Sequence, residues 1–145
     1  GWALYAERVA KVDMGFYDAD PLGDLGRLQA EMFRAVRLVV DTGMHAKRWS
    51  REQSIEYMVA RTGMPEAEVT REIERYVVWP GQAASYKVGQ LAMLRLREQA
   101  EKELGPKFDL RDFHEVILMN GPMPLAVLED VVQEWIKTQQ AKPSA

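Results

Sequence analysis

Tyr76–Gln90, YVVWPGQAASYKVGQ, decides how the chain is read. The apolar end of one helix (Val77, Val78, Trp79) runs into Pro80-Gly81, and a second helix begins at once. Pro80 lacks a backbone donor and disfavours helical geometry at Trp79, while Gly81 permits a sharp turn or a close approach. The new helix carries Gln82, Ser85, Tyr86, Lys87 and Gln90 in its first turns, a dense polar group where a packed helix enters a core. Helix starts also present unpaired N–H groups that can hold a ligand or a substrate backbone. The plainer reading of the same residues is a helix–helix corner with polar caps.

Working upstream, Pro65 opens the helix that ends at Trp79, with Glu66 and Glu68 in its first turn and Val69, Ile73, Tyr76 and Val77 on its core side. Ser50 and Gln53 have capping-box spacing for a helix that turns Ile55, Met58 and Val59 inward and stops at Thr62-Gly63. A longer helix opens at Gly23 or Asp24, with Leu25, Leu28, Met32, Val36 and Val39 or Val40 expected to be buried. It is expected to stop near Thr42, because Gly43 breaks the pattern, leaving His45 in a loop with Asp41 and Arg48. The first helix covers Trp2 to Met14, with Trp2, Tyr5, Val9 and Val12 in one apolar stripe, and Gly15 closes it.

Downstream, the longest helix runs from Gly81 to about Leu104, with Tyr86, Val88, Leu91, Leu94 and Leu96 mostly inward and a solvated distal half. Gly105-Pro106 ends it, Asp109 caps a short helix bearing Phe113, Val116, Ile117 and Leu118, and Pro124 opens a last helix. That helix carries Leu125, Leu128, Val131, Val132, Trp135 and Ile136, and residues 139–145 are expected to fray. No segment has a strand period with hairpin punctuation, and there is no internal repeat. The expectation is all-α: a six- to seven-helix bundle spanning residues 1–138.

The composition narrows the function. With 145 residues and 47% hydrophobic content the chain can build a real core. Its 19 basic and 22 acidic residues are interleaved, so nucleic acid is not an expected partner. No apolar run approaches the ~20 residues a membrane span needs. Cysteine is absent, which excludes disulfides and thiolate metal sites. The opening Gly1-Trp2-Ala3-Leu4-Tyr5 lacks Met and is already in helical register, which reads as a piece of a longer protein and leaves the compartment, cytoplasmic or exported, unread.

His45 and His114 lie far apart, and neither forms a His pair at i,i+4. A metal site made by this chain alone is therefore not expected. His114, beside Glu115, reads as a surface histidine. His45 reads as a C-capping imidazole, or as a functional group near Asp41 and Arg48. Tyr86 can donate a hydrogen bond to a developing oxyanion, or can be a core tyrosine with a satisfied hydroxyl. Arg37 can pair a substrate carboxylate, or bridge to Asp41 four residues on.

Three motifs resemble a known family: GWALYAER at the start, RLVVDTGMHAKRWS in the middle, and WPGQAASYKVGQ after it. With the closing FHEVILMNGPMPLAVLE they are similar, in order and over almost the whole chain, to the bacterial domain of unknown function 885 family, related to gluzincin-type zinc metallopeptidases. The resemblance implies an upstream H-E-x-x-P-G-H-type motif, and a further Glu just before Gly1, as zinc ligands and general base. This chain is then expected to be the C-terminal, substrate-side part of a larger helical zinc-peptidase-like fold. Alone it is expected to be inactive and to bind no zinc. In related helical zinc peptidases a His and a Tyr from later helices stabilise the oxyanion, and His45 and Tyr86 match those positions. Arg37, Gln82 and Lys87 follow as substrate-binding candidates, for a peptide-like substrate.

The rival expectation is a non-catalytic helical module whose Trp-Pro-Gly corner and apolar first helix bind a partner chain. Either way, an uncovered stripe of Trp2, Tyr5 and Val9 is expected to drive self-association. A strictly monomeric chain at high concentration in sedimentation would count against that.

Overall fold

The computed structural model describes residues 1–143, and all regular structure there is helical. The order is α1 (Trp2–Val12), α2 (Pro21–Lys47), α3 (Arg51–Thr62), α4 (Glu66–Val78), α5 (Gln82–Leu104), a short 3-10 turn (Gly105–Lys107), α6 (Leu110–Met119) and α7 (Leu125–Ala141). The all-α reading of the sequence, with six to seven helices, is the fold found, with seven α-helices among the described residues. Two compact units divide it, one from Gly1 to Gln90 and the other from Leu91 onward. No helix among the described residues is long and apolar enough to cross a membrane.

In the first unit the local signals act as the residue types dictate. Asp20 caps α2 by accepting from the Gly23 amide at 2.9 Å, with Pro21 at the first helical position. Ser50 caps α3 by accepting from the Gln53 amide at 3.0 Å, and Gly63, at φ +66°, ends it. The core gathers Val36 and Val40 of α2, Ile55 and Met58 of α3, Val69, Ile73 and Tyr76 of α4, and Ala83 of α5.

The helix α2 does not stop at Thr42. It continues through Gly43 to Lys47 and ends on Arg48, a non-glycine residue in the left-handed region at φ 58°, with the Trp49 amide donating to the Gly43 carbonyl at 3.0 Å. Gly43 is there for room: a Cβ would fall 2.6 Å from carbons of the Trp49 indole, which folds back across the helix. His45 is therefore helical, and Arg37, Asp41 and His45 stand four residues apart along one face.

Burial also departs from the periodicity reading. Leu25, Leu28 and Met32 are exposed, because the side chains of α3 and α4 gather round Val36 and Val40, further along α2. In α1, Leu4 and Tyr5 are buried and Trp2 and Val9 half-buried, so the unit itself covers most of the stripe expected to be bare. Exposed apolar residues instead line the outer side of α2, at Leu22, Leu25, Leu28 and Met32. On α5 the buried residues of this unit are Ala83, Gly89 and Gln90, while Val88 is exposed. Gln90 tolerates burial because its amide donates to the Leu4 carbonyl at 3.0 Å.

The second unit packs Met93, Leu96, Ala100 and Leu104 of α5 with Phe113 and Ile117 of α6 and Leu128, Val132 and Ile136 of α7. Leu91 and Leu118, expected inward, are exposed. Phe108, Phe113 and Trp135 form a ring cluster with centroids 6.0–6.5 Å apart. The helix α7 persists to Ala141, where the Lys107 ammonium donates to the carbonyls of Gln140 (3.0 Å) and Lys142 (2.6 Å). Of the stretch expected to fray, Ser144 and Ala145 lie outside the described residues.

Candidate functional site

The α4–α5 corner is held by three residues of α2. Trp79 leaves helical geometry at φ −129°, Gly81 turns the chain at φ +80°, and α5 starts at Gln82. Asp41, 2% exposed, accepts from the Gly81 amide through Oδ1 and from the Ala84 amide through Oδ2, both at 3.1 Å. A buried carboxylate is tolerable there because it meets the unpaired N–H groups and positive dipole end of α5. One turn on, the Nε2–H of His45 donates to the Tyr76 carbonyl at 2.9 Å, the last turn of α4. The same nitrogen is 3.4 Å from Asp41 Oδ1, which leaves Nδ1 as the ring nitrogen available to anything else. The His45 side chain is 31% exposed.

One turn in the other direction lies Arg37, 6% exposed. Its guanidinium sits 4.4 Å over the Tyr86 ring, 5.4 Å over Tyr76 and 5.5 Å over Phe33. Its one hydrogen bond is a long one, Nη2 to Gln82 Oε1 at 3.4 Å, and its buried Nε has no partner among the described residues. It does not bridge to Asp41, whose oxygens are taken by α5. Gln82 links the group: Oε1 also accepts from Arg75 at 2.9 Å, and its amide donates to the Tyr86 hydroxyl at 3.2 Å. The Tyr86 oxygen thus acts as acceptor, and its own proton has no acceptor among the described residues.

Beside this cluster, the Tyr76 hydroxyl donates to Glu72 at 2.6 Å, and Arg75 donates to the same carboxylate at 2.7 Å. Burial, and then the bond to Glu72, push the Tyr76 phenol far above its ordinary range, so it remains a neutral donor. For Glu72 burial opposes the charge, but the hydrogen bonds from Arg75 and Tyr76 prevail and hold its carboxyl below the usual glutamate range.

A cavity of about 410 Å³ opens on Arg37 and Tyr86, walled by Phe33, Arg34 and Met64. The larger cavity, about 600 Å³, lies between α3 and α4, but its charged residues Arg51, Glu52, Glu56 and Glu66 are all exposed.

The structure brings Arg37, Gln82 and Tyr86 together. His45 joins them only through Asp41 and the Tyr76 backbone, about 12 Å along α2 from Arg37 at the helical rise per residue. Lys87 is engaged elsewhere, with Glu31 at 2.8 Å and Gln90 at 2.7 Å; the Lys87 hydrogen bond, foremost, holds the Glu31 carboxyl low. Sequence reasoning named Asp41 only as a neighbour of His45 and a partner for Arg37, and did not single out Arg75 or Glu72. The spacing of four between Asp41 and Arg37 was legible, but the same spacing from His45 becomes a helical one only once α2 is allowed to pass Gly43. Among the described residues no group of three or more His, Cys, Asp or Glu could hold a metal ion, and Asp41 and His45 are both committed to the corner.

The chain is similar to a crystal structure named "putative lipoprotein from Colwellia psychrerythraea", at 61% identity and a TM-score of 0.92. The match covers 95% of this chain and 23% of that one, so the chain spans under a quarter of that protein's length. Comparison with curated proteins finds no match. The family model described as bacterial protein of unknown function (DUF885) matches residues 1–132, nearly the whole length, and the chain therefore belongs to that family.

Proposed function

We propose that this chain is the substrate-side part of a zinc-dependent, peptidase-like hydrolase whose metal and general base come from outside these residues. The reading combines the family's resemblance to gluzincin-type peptidases with one observation. The Arg37–Gln82–Tyr86 cluster faces a cavity, with the Tyr86 proton uncommitted. A phenol held as an acceptor by Gln82 is oriented to donate to charge that develops on a substrate oxygen. His45 and Asp41 support that role by fixing the corner from which Tyr86 projects. On this reading the zinc ligands come from outside the described residues, among which no metal ligand set is found. Purified full-length protein should hold close to one zinc per chain and lose peptide hydrolysis on chelation. A metal-free, inactive preparation would reject the reading.

The non-catalytic module keeps one specific point in its favour. The outer face of α2 (Leu25, Leu28, Met32) and the tip of the corner (Val77, Val78, Trp79) are exposed apolar surface. The rest of a longer chain such as the Colwellia relative would also cover such surface, so zinc content separates the two readings where surface character does not.

A further inference from the structure

Arg37 is an expensive residue as it stands. An arginine that is 6% exposed normally meets a carboxylate, because removing a charge from water costs more than a single neutral hydrogen bond returns. Here the other basic groups of the site have such partners: Arg75 pairs with Glu72 at 2.7 Å, and Arg34 with Glu7 at 3.3 Å. Arg37 has three aromatic rings, one long bond to an amide oxygen and an unsatisfied Nε; the carboxylate of Glu72 acts on it only through space, being bonded to Arg75 and Tyr76. Rings stabilise a cation but leave its in-plane N–H donors unused. The cavity that Arg37 faces contains two arginines and no acidic side chain, and Phe33, Met64 and Tyr86 give it apolar walls.

We propose that this cavity is a carboxylate-binding site in which Arg37 grips the terminal carboxylate of a ligand while Phe33, Met64 and Tyr86 pack against the apolar group next to it. The chemistry fits a peptide or acylated amino acid with a free C-terminus. It deepens the hydrolase reading, since a protein that grips the C-terminal carboxylate acts near that end of its substrate, but the binding itself requires neither metal nor turnover. A side-chain carboxylate from the remainder of a longer polypeptide offers the same chemistry, and the test separates the two sources.

The test titrates N-acetyl-Phe-Leu, and separately its C-terminal amide, into the 145-residue chain and into the full-length protein, both metal-free. Binding is followed at the arginine Nε–H resonances by nitrogen-15 NMR. The acid should shift the Arg37 Nε–H signal saturably and bind about tenfold or more tightly than the amide, the loss expected when a charge-assisted pair becomes neutral. Arg37→Lys, which keeps the charge without the planar fork, should lose most of that preference. Equal binding of acid and amide, or no binding of the acid to either protein, overturns the proposal. Binding to the short chain but not to the full-length protein also overturns it, because a protein carboxylate is then Arg37's partner. Saturable, acid-selective binding by a full-length protein that carries no zinc as purified, before any metal is stripped, would leave this site standing while removing the hydrolase reading.

Discussion

Tyr86→Phe in the full-length protein is expected to lower kcat by about 10²–10³-fold, the loss seen when one oxyanion donor is removed. KM should hardly move, because the ring that lies 4.4 Å under Arg37 is retained and only the hydroxyl goes. Stability should change by no more than about 1 kcal/mol, since the bond lost is a single neutral one from the Gln82 amide. The uncommitted proton of Tyr86 motivates the prediction: a phenol whose proton were spent on a protein acceptor would have nothing to give. Steady-state kinetics and a melting curve on the same preparation decide it. An unchanged kcat removes Tyr86 from the chemistry, and a large fall in melting temperature would mark it as a core tyrosine instead.

Asp41→Ala is expected to be among the most destabilising single changes in the first unit. It strips two backbone amides, Gly81 and Ala84, of their acceptor and removes the cap of α5. A lost cap costs about 0.5–2 kcal/mol, and a donor left unsatisfied in a buried place about 1–3 kcal/mol. Together these suggest a loss of about 3 kcal/mol, or a fall in Tm of roughly 10 °C for a chain of this size. Asp41→Asn keeps one acceptor oxygen and should lose about half as much. Thermal unfolding followed by circular dichroism checks this, with exposed Thr42 on the same helix as the control position. An Asp41→Ala protein that melts within about 2 °C of the parent would show that the corner does not depend on this carboxylate.

The two experiments bear on different parts of one arrangement. Asp41 and His45 act on backbone groups of the corner, and their effect on any ligand passes through the position of α5. Arg37 and Tyr86 present their own groups to the cavity. The plain reading of the corner, polar caps at a helix junction, therefore describes Asp41 and His45 well. The functional reading concerns Arg37 and Tyr86.

What the sequence determined by itself was local. Ser50, Asp109 and Pro65 mark helix starts, Gly63 and Gly105 mark ends, and Pro80-Gly81 marks the corner, because caps, breakers and turns act on neighbours within a few residues. Those signals suffice for seven helices in order. What only the tertiary structure decided depends on groups far apart in the chain. Gly43 reads as a stop until Trp49 is seen folded onto it, and Leu25 reads as core until α3 and α4 are seen packing further along α2. Asp41 lies 40 positions from the amide it caps, and Arg37 lies 49 from the ring beneath it, so neither pairing leaves a mark on its own neighbourhood. Burial and charge pairing are sums over such distant contacts. An arginine buried without an ion-paired carboxylate is therefore visible only after the chain has folded.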